Sequence, residues 1–452
     1  MTDEDLQQKI VSLCKRRGFV FPGSEIYGGL ANTYDMGPLG VLLLRNIIDN
    51  WWENFVTKRD DMYGLDTAIL MSPKVWEASG HTAGFTDVLI DCKNCQNRTR
   101  ADVIIEDATG QNVEGRPIEE LEEIINENKI KCPVCGSFDW TKPRKFNLLF
   151  ETNIGIVPEN QSLTYLRGEI AQGMFVNFKN ILNTMHPKLP FGIAQSGKAF
   201  RNEITKGNFI FKTLEFNLAE FEYFFNPKEQ KWEDLFAYWK KEMKDWIMSL
   251  GVPEKKLRWR THTDDERSHY SDRTEDLDFE FPFGFKELFG LAYRTDFDLK
   301  NHMENSGVDL EYRDPFTDEK FIPHVVEPTF GISRVLLVLL FNAYHEEEDR
   351  IVLKLSKEMA PYKAAVFPLV KNKEEIVSKA KEVYNMLVDA GISTAWDDRG
   401  NIGKRYYSQD EIGTPSCITI DYETLEDNTV TIRDRDTMEQ KRVKIDEVLS
   451  NI

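Results

Sequence analysis

The chain has 452 residues, of which 41% are hydrophobic and 12% aromatic, enough to fill sizeable cores and to exclude wholesale disorder. A formal net charge of −19, from 57 basic and 76 acidic side chains, excludes a polybasic, histone-like binder, although a local basic groove can still serve nucleic acid. No apolar run approaches the ~20 residues of a membrane span and the start, MTDEDLQQKI, lacks a signal-peptide core, so the expectation is a soluble, cytoplasmic chain with no membrane partner.

Residues 3–17 read as a helix with Leu6, Ile10, Leu13 and Cys14 on one face and Gly18 at its end. Gly28, Gly29, Gly37 and Gly40 punctuate the following loop, and Pro38 opens a long helix through Trp51, Trp52 and Phe55. That aromatic stripe offers more apolar surface than one domain obviously needs. Residues 68–71 read as a short strand closed by Ser72-Pro73.

Two Cys-x-x-Cys pairs follow, Cys92 with Cys95 and Cys132 with Cys135. In a reducing compartment they predict a tetrahedral Zn²⁺ site, since thiolates on short turns suit that ion; four free or redox cysteines are the alternative. All four ligands would be used in closure, which makes the site structural. The module at 90–145 holds one short amphipathic helix near 117–121, too little for a core without such a staple. Cys14 and Cys417 read as ordinary buried thiols.

From 146 to 225 the chain is rich in strand-like runs of Phe, Ile and Val. The clearest helix signal spans 226–250: Asn226 as cap, Pro227 at the first position, Glu229 at the capping-box position, then Trp232, Leu235, Phe236, Trp239, Met243 and Trp246 before Gly251. A charged, irregular stretch (254–278) precedes strands expected near 279–299 and 308–328. Gly331 leads into a helix, 335–341, that is apolar all round and hence buried. Residues 353–361 read as a boundary. Strand-like runs at 364–367, 417–421 and 429–433 with a helix at 373–390 then predict a compact α/β domain.

The strongest chemical signal is Phe200-Arg201-Asn202-Glu203, followed by a loop at 204–208 and a second strand reaching Phe225. On that strand Phe216, Leu218, Glu220 and Glu222 share one face. Such a hairpin suits a nucleotide: guanidinium for phosphate, carboxylate for an exocyclic amine, ring for the base. A solvated charged hairpin is the structural alternative. Arg334 breaks a local rule, because it stands at the positive end of the buried helix, where a cation is unfavourable without a nearby anion. Gly331 would let an anion approach the backbone, and rule-breaking positions mark function. The alternative pairs Arg334 with a buried carboxylate.

Taken in order, the long helix with Pro73, the Phe-Arg-x-Glu hairpin, and Gly331-Ile332-Ser333-Arg334 before an apolar helix resemble motifs 1, 2 and 3 of class II aminoacyl-tRNA synthetases. The resemblance extends nearly end to end to the homodimeric glycyl-tRNA synthetases, through phrases such as Ser24-Glu25-Ile26-Tyr27-Gly28-Gly29-Leu30, Phe191-Gly192-Ile193-Ala194-Gln195 and Arg294-Thr295-Asp296-Phe297-Asp298-Leu299. Rival nucleotide folds lack their signatures. No Gly-x-x-x-x-Gly-Lys-Ser/Thr loop is present, and Lys354-Leu355-Ser356-Lys357 imitates a class I motif without the matching histidine motif.

The resemblance implies an α+β fold: a class II antiparallel sheet flanked by helices over 1–355, with a zinc-bound insertion at 90–145 and a helical insertion at 226–278, then an α/β anticodon-binding domain at 361–452. It implies ATP-dependent ligation of glycine to tRNA(Gly) through a glycyl-adenylate, with Mg²⁺ on the phosphates, structural Zn²⁺ and a homodimer. By motif match, Arg201 and Arg334 are the catalytic arginines on the ATP phosphates, Glu203 takes the adenine amino group and Phe216 the adenine ring. Asn202 and Gly331 belong to the same ATP-binding motifs, Lys212 stands where the family usually has arginine, and Glu287 and Leu288 match a further ATP-contacting pair. Glu169, Glu220 and Glu327 match carboxylates around the substrate ammonium, and Arg100, Phe216 and Thr329 stand at substrate-contact positions.

The chain also departs from the family. Gly168 and Ile170 replace the usual Pro and Thr, Leu214 and Leu218 the usual Arg and Gln, Phe289 and Tyr293 the usual Glu and Asn, Thr329 the usual Ser, and Tyr407-Ser408 a basic pair. They raise the alternative of a catalytically weak or silent paralogue that binds nucleic acid or a protein partner. A class II synthetase for another small amino acid would need a different ammonium pocket.

Overall fold

Strict alternation in the strand Glu215–Phe225 organises the centre of the molecule. Ala219, Phe221, Tyr223 and Phe225 turn into the main core, while Phe216, Leu218, Glu220, Glu222 and Phe224 turn to the other face. The computed structural model describes residues 3–111, 113, 115–157, 161–203, 208–264, 267 and 270–452. Residues 204–207 of the expected hairpin loop lie outside them.

Around that strand a seven-stranded sheet runs in the order Leu257–Thr261, Arg273–Phe281, Gly284–Thr295, His324–Phe330, Glu215–Phe225, Phe191–Phe200, Met62–Gly64. All pairs are antiparallel except the last. Helices Pro38–Trp52, Trp232–Ser249 and Ile332–Ala343 cover one face, and the last is buried along its apolar run 335–341. The opposite face carries helices Ala171–Met185 and Phe297–Ser306, where Phe175, Phe178, Phe191, Phe224 and Leu299 form a second core. Toward Phe216 that face opens as a cleft.

Several expectations are corrected. The apolar runs through 146–225 and 279–299 predict strands, yet Ala171–Met185 and Phe297–Ser306 are helices; Met174, Phe175, Phe178 and Ile181 bury at helical steps. Residues 68–71 make only an isolated bridge between Leu70 and Leu166. The edge strand lies earlier, at Met62–Gly64, where an added Cβ on Gly64 would meet Trp52 at 2.4 Å. The helix expected from Asn226 begins at Trp232, because Asn226 closes a turn instead, its Oδ1 accepting from Lys228 N at 3.1 Å and its carbonyl from Glu229 N at 3.1 Å. Gly40 lies inside the long helix and not in the loop before it. Only glycine fits there, since a Cβ would sit 1.9 Å from the Phe19 carbonyl oxygen. Strand structure resumes at Leu257–Thr261, within the stretch read as irregular; its charges, Arg258 and Arg260, pair across with Asp278 and Asp276.

The aromatic stripe of the long helix is not surface. Trp51 and Phe55 are buried, with ring centroids 5.7 Å from Phe330 and 5.8 Å from Phe221 respectively. Exposed apolar side chains sit elsewhere, at Ile26 (89%) and Tyr27 (87%) in the preceding loop.

The last part of the chain forms a five-stranded sheet, ordered Thr394–Trp396, Ala364–Pro368, Ser416–Ile420, Thr429–Asp434, Gln440–Lys444, backed by helix Glu374–Asp389. A buried triad joins it to the preceding chain: Asp410 takes Arg350 Nη1 at 2.7 Å and Arg433 Nη1 at 2.8 Å. Among the described residues no helix is long and apolar enough to cross a membrane.

Candidate active site

The hairpin of Phe191–Phe200 and Glu215–Phe225 meets the start of helix Ile332–Ala343 at a cleft of about 560 Å³, measured to its open mouth. Its walls bring together Arg201, Glu203, Lys212, Phe216, Leu218, Glu287, Thr329, Gly331 and Arg334. The Arg201 guanidinium lies 5.2 Å from the Phe85 ring and 5.4 Å from the Phe216 ring, and its Nε donates to the Gly168 carbonyl at 3.0 Å. Stacking and a backbone anchor thus fix a cation at the cleft wall. Lys212 Nζ reaches Glu203 at 3.4 Å. Burial opposes ionisation of Glu203, yet Lys212 and Arg201 hold its carboxyl below the usual range, so it faces the cleft as an anion.

Arg334 has a carboxylate partner. Its Nη1 stands 3.0 Å from Glu287 Oε1 and donates to the Glu287 carbonyl at 2.9 Å, and its guanidinium lies 4.8 Å over the Phe211 ring. The Glu287 side chain is half-exposed at the cleft wall, so the pair is a solvent-facing one and not the buried carboxylate pair of the structural alternative. A Cβ on Gly331 would be tight, 3.0 Å from the Leu288 carbonyl oxygen, so glycine leaves the backbone there open to close approach. Leu288 itself is buried, with its carbonyl accepting from Gly331 N at 3.4 Å. Asn202 and Arg100 do not line the cleft: Asn202 N donates to the Leu148 carbonyl, and Arg100 is ion-paired with Asp87 and Asp102.

Behind Thr329 lies a second, acidic compartment. Thr329 is the cross-strand partner of Glu220, and Glu220, Glu327 and Glu169 are all buried. Arg294 sits among them, donating from Nη1 to Glu327 at 2.8 Å and from Nε and Nη2 to Asp298 at 2.7 and 2.8 Å. Gln172 Nε2 bonds both Glu169 and Asp298 at 2.9 Å, and His81 Nε2 lies 3.2 Å from Glu169 Oε2. The Ile170 N–H donates to Glu220 at 3.3 Å. Despite burial, His81 and Arg294 hold Glu169 far below the usual carboxyl range. Burial, then Glu327 and Glu169, pushes Glu220 well above it. Glu327 rises to about 7 because burial and Glu169 outweigh Arg294. Glu169, Glu220, Glu327 and Asp298 outnumber Arg294 and His81, which leaves this compartment short of a cation. It can hold a compact one such as an ammonium group.

Sequence reasoning missed Arg294, Asp298, Gln172 and His81 as parts of this network. Arg294, near the end of strand Gly284–Thr295, and Asp298, in the first turn of helix Phe297–Ser306, pair at 2.7 Å across the strand-to-helix turn, which the sequence spacing alone does not announce. His81 offers no signal either, since only folding brings it to Glu169.

The departures from the family pattern fall in distinct places. Ile170 and Leu218 pack together with Ala199 and Phe216 beside the cleft. Phe289 is buried in the main core on the far face of the sheet, and Tyr293 stacks on Trp232 at 4.7 Å with its hydroxyl bonded to His324 at 2.6 Å. Gly168 fits where a Cβ would approach Phe85 at 2.9 Å, and Leu214 pairs through its backbone with Arg201 and Asn32.

The four cysteines converge. Cys92 Sγ and Cys135 Sγ lie 3.6 Å apart, as do Cys95 Sγ and Cys132 Sγ, and all four sulfurs fall within 4.8 Å of one another. Zn–S bonds of about 2.3 Å place tetrahedral sulfurs about 3.8 Å apart, so the donor set and its spacing fit a metal ion. Each pair sits on a turn of the same build, with Gln96 N bonded to the Cys92 carbonyl and Gly136 N to the Cys132 carbonyl, both at 2.8 Å.

Comparison with known proteins adds two family matches, to an anticodon binding domain over residues 363–452 and to glycyl-tRNA synthetase insertion domain 1 over residues 110–148. The chain is 52% identical to a protein of Geobacillus thermodenitrificans named glycine–tRNA ligase, over 99% of this chain and 97% of that one. It is 51% identical to a protein of the same name from Alkaliphilus oremlandii, over 99% and 98%, and 50% identical to one from Bacillus anthracis, over 98% and 97%.

Proposed function

The chain belongs to the glycine–tRNA ligase family, and on that premise we propose which of its residues perform the ligation and how. Its activity is the joining of glycine to tRNA with ATP as co-substrate. The observation that carries the assignment of residues is the meeting, across Thr329, of an arginine-lined cleft and a buried acidic compartment.

ATP occupies the cleft, its adenine against Phe216 with the exocyclic amine donating to Glu203, its phosphates on Arg201 and Arg334. Mg²⁺ travels with those phosphates as part of the substrate. Arg334 exchanges the half-exposed Glu287 for phosphate oxygens. Lys212 stands at the cleft wall beside Glu203. Glycine places its ammonium among Glu169, Glu220 and Glu327, which aims its carboxylate through the Thr329 gap at the α-phosphorus. Attack gives glycyl-adenylate and pyrophosphate, and the terminal ribose hydroxyl of tRNA then takes the glycyl group with AMP leaving. The chain supplies orientation and charge stabilisation and no covalent nucleophile.

The remaining assignments extend this reading. Cys92, Cys95, Cys132 and Cys135 hold a structural Zn²⁺ that closes the 90–145 insertion and takes no part in the reaction. Residues 1–355 form the catalytic unit, with 226–278 as a helical insertion, and 361–452 the unit that reads the anticodon of tRNA(Gly). The enzyme works in the cytoplasm as a homodimer, for which the exposed loop of Ile26, Tyr27 and Leu30 offers apolar surface. Charging of tRNA(Gly) with labelled glycine tests the whole reading: ATP-dependent charging is expected, and its absence under conditions where a relative charges would overturn it.

A further inference from the structure

Glu222 takes no part in the site described above, yet it is the least satisfied polar group beside it. It is fully buried, and neither carboxyl oxygen has a hydrogen-bond partner among the described residues. It shares the acidic face with Glu220, two residues along the same strand. The antiparallel register pairs Glu220 with Thr329 and Tyr223 with Val326, which sets Glu222 directly across from Glu327. Side chains so opposed start about 5 Å apart at Cβ.

Arg294 answers Glu327, but among the described residues no cation pairs with Glu222. The other neighbouring strand presents Ile193 opposite Glu222. Helix Ala171–Met185 covers this end of the face with Phe175 and Phe178, and its polar Gln172 is bonded to Glu169, Asp298 and His302. The charged groups acting on Glu222 are Glu220 on its own strand, Glu327 on the next, Arg294 beyond that, and Asp298 on helix Phe297–Ser306. Arg294 already donates to Glu327 and Asp298. A buried carboxyl with no donor, facing a second carboxyl across a strand pair, is kept neutral by a proton. Burial first, and Glu327 next, push Glu222 well above the usual carboxyl range.

We propose that Glu222 completes the ammonium site: with Glu327 it carries one proton in the free enzyme, and the glycine ammonium, donating to both carboxyls, displaces that proton to solvent. One positive charge replaces another, so the net charge of the compartment is unchanged and no covalent bond to glycine is made. The exchange makes the compartment selective for a charged amine and ties glycine affinity to pH. The titration belongs to the Glu222–Glu327 pair and not to either residue alone. The inference rests on the assignment of Glu327 to the ammonium.

The test counts protons. Calorimetric titration of the full chain with glycine, in two buffers of different ionisation enthalpy, is run alongside glycine-dependent pyrophosphate exchange from about pH 6 to about pH 8. The parent is expected to release up to about one proton at the acid end, with KM for glycine falling toward tenfold per pH unit there and kcat changing less. Glu222→Gln should lose the proton release and the KM slope, and Glu222→Asp, which keeps a carboxyl, should retain both. A parent that releases no proton overturns the proposal whether or not any variant folds, and so does a folded Glu222→Gln with the parental slope. An unchanged glycine KM in Glu327→Gln would instead overturn the ammonium role of Glu327, a result separable from the proton count.

Discussion

Ile170 and Leu218 belong with Ala199 to one small buried cluster at the edge of the cleft, at positions where the family resemblance implies threonine and glutamine. Both side chains are apolar and share that cluster, so neither leaves a buried polar group unmatched there. Restoring one alone would bury a polar group against an apolar neighbour, at a cost of about 1 to 3 kcal/mol. We expect Ile170→Thr and Leu218→Gln each to lower the unfolding midpoint, and the double variant to recover part of the loss. Thermal unfolding of the four proteins measures it, and strictly additive losses would show that the two positions are not coupled.

Arg201 and Arg334 stand at the cleft wall and outside the cores. Replacing either by alanine should cut adenylate formation ~10²-fold or more, because each meets charge that develops on phosphate oxygens. Unfolding midpoints should move little. Parental exchange rates in either variant would remove that arginine from the mechanism.

The cysteine cluster predicts about one Zn²⁺ per chain in the purified protein. Stripping the ion should loosen the 90–145 insertion first, since its own core is small, comprising Ile90, Ile104, Ile105, Leu121, Ile125 and a few neighbours. Elemental analysis paired with native-state alkylation checks this. Metal-free protein whose four thiols react at once would contradict it.

Glu327, titrating together with its carboxyl neighbours, gives stability a definite pH dependence. Its carboxyl, raised from 4.5 to about 7, binds its proton more tightly folded than unfolded. Its contribution is therefore fully present below about 4.5 and is lost as pH rises through about 7. Glu169, held low by His81 and Arg294, acts in the opposite sense, and its contribution is lost on acidification. Glu327→Gln should gain stability relative to the parent as pH is raised across that upper window. Urea unfolding at several pH values reads the difference, and parallel curves would count against it.

What the sequence made legible was local. Helix Ile332–Ala343 is apolar at nearly every position, so its burial follows from composition alone, and Gly331 and Arg334 stand out against it. The two Cys-x-x-Cys pairs likewise announce their own convergence. Tertiary context hid the rest. Asn226, Pro227 and Glu229 have every helix-start feature, yet the backbone turns there and the helix waits until Trp232. Trp51 and Phe55 read as surface for a partner, because nothing local shows that Phe221 and Phe330 come to cover them. The acidic compartment is assembled from Glu169, Glu220, Arg294, Asp298 and Glu327, which come from five separate segments of the chain, and Glu222 becomes notable only when the register sets it across from Glu327.

The central claim is that this chain activates glycine in preference to larger amino acids. The carboxyls of Glu169, Glu220 and Glu327 face an ammonium that every amino acid has, so selection must come from excluding a Cβ substituent. Thr329, at the border of the two compartments, keeps the hydroxyl of the usual serine and adds a methyl. A substrate methyl pressed into a packed wall is penalised more than an unfilled pocket would lose. Amino-acid-dependent pyrophosphate exchange with glycine, alanine and serine side by side measures this directly. We predict strong exchange with glycine, far weaker exchange with alanine and serine, and glycine exchange preserved in Thr329→Ser. Equal rates for glycine and alanine would contradict the selection claim, and no exchange with any of the three would contradict the assignment of the chain as an active ligase.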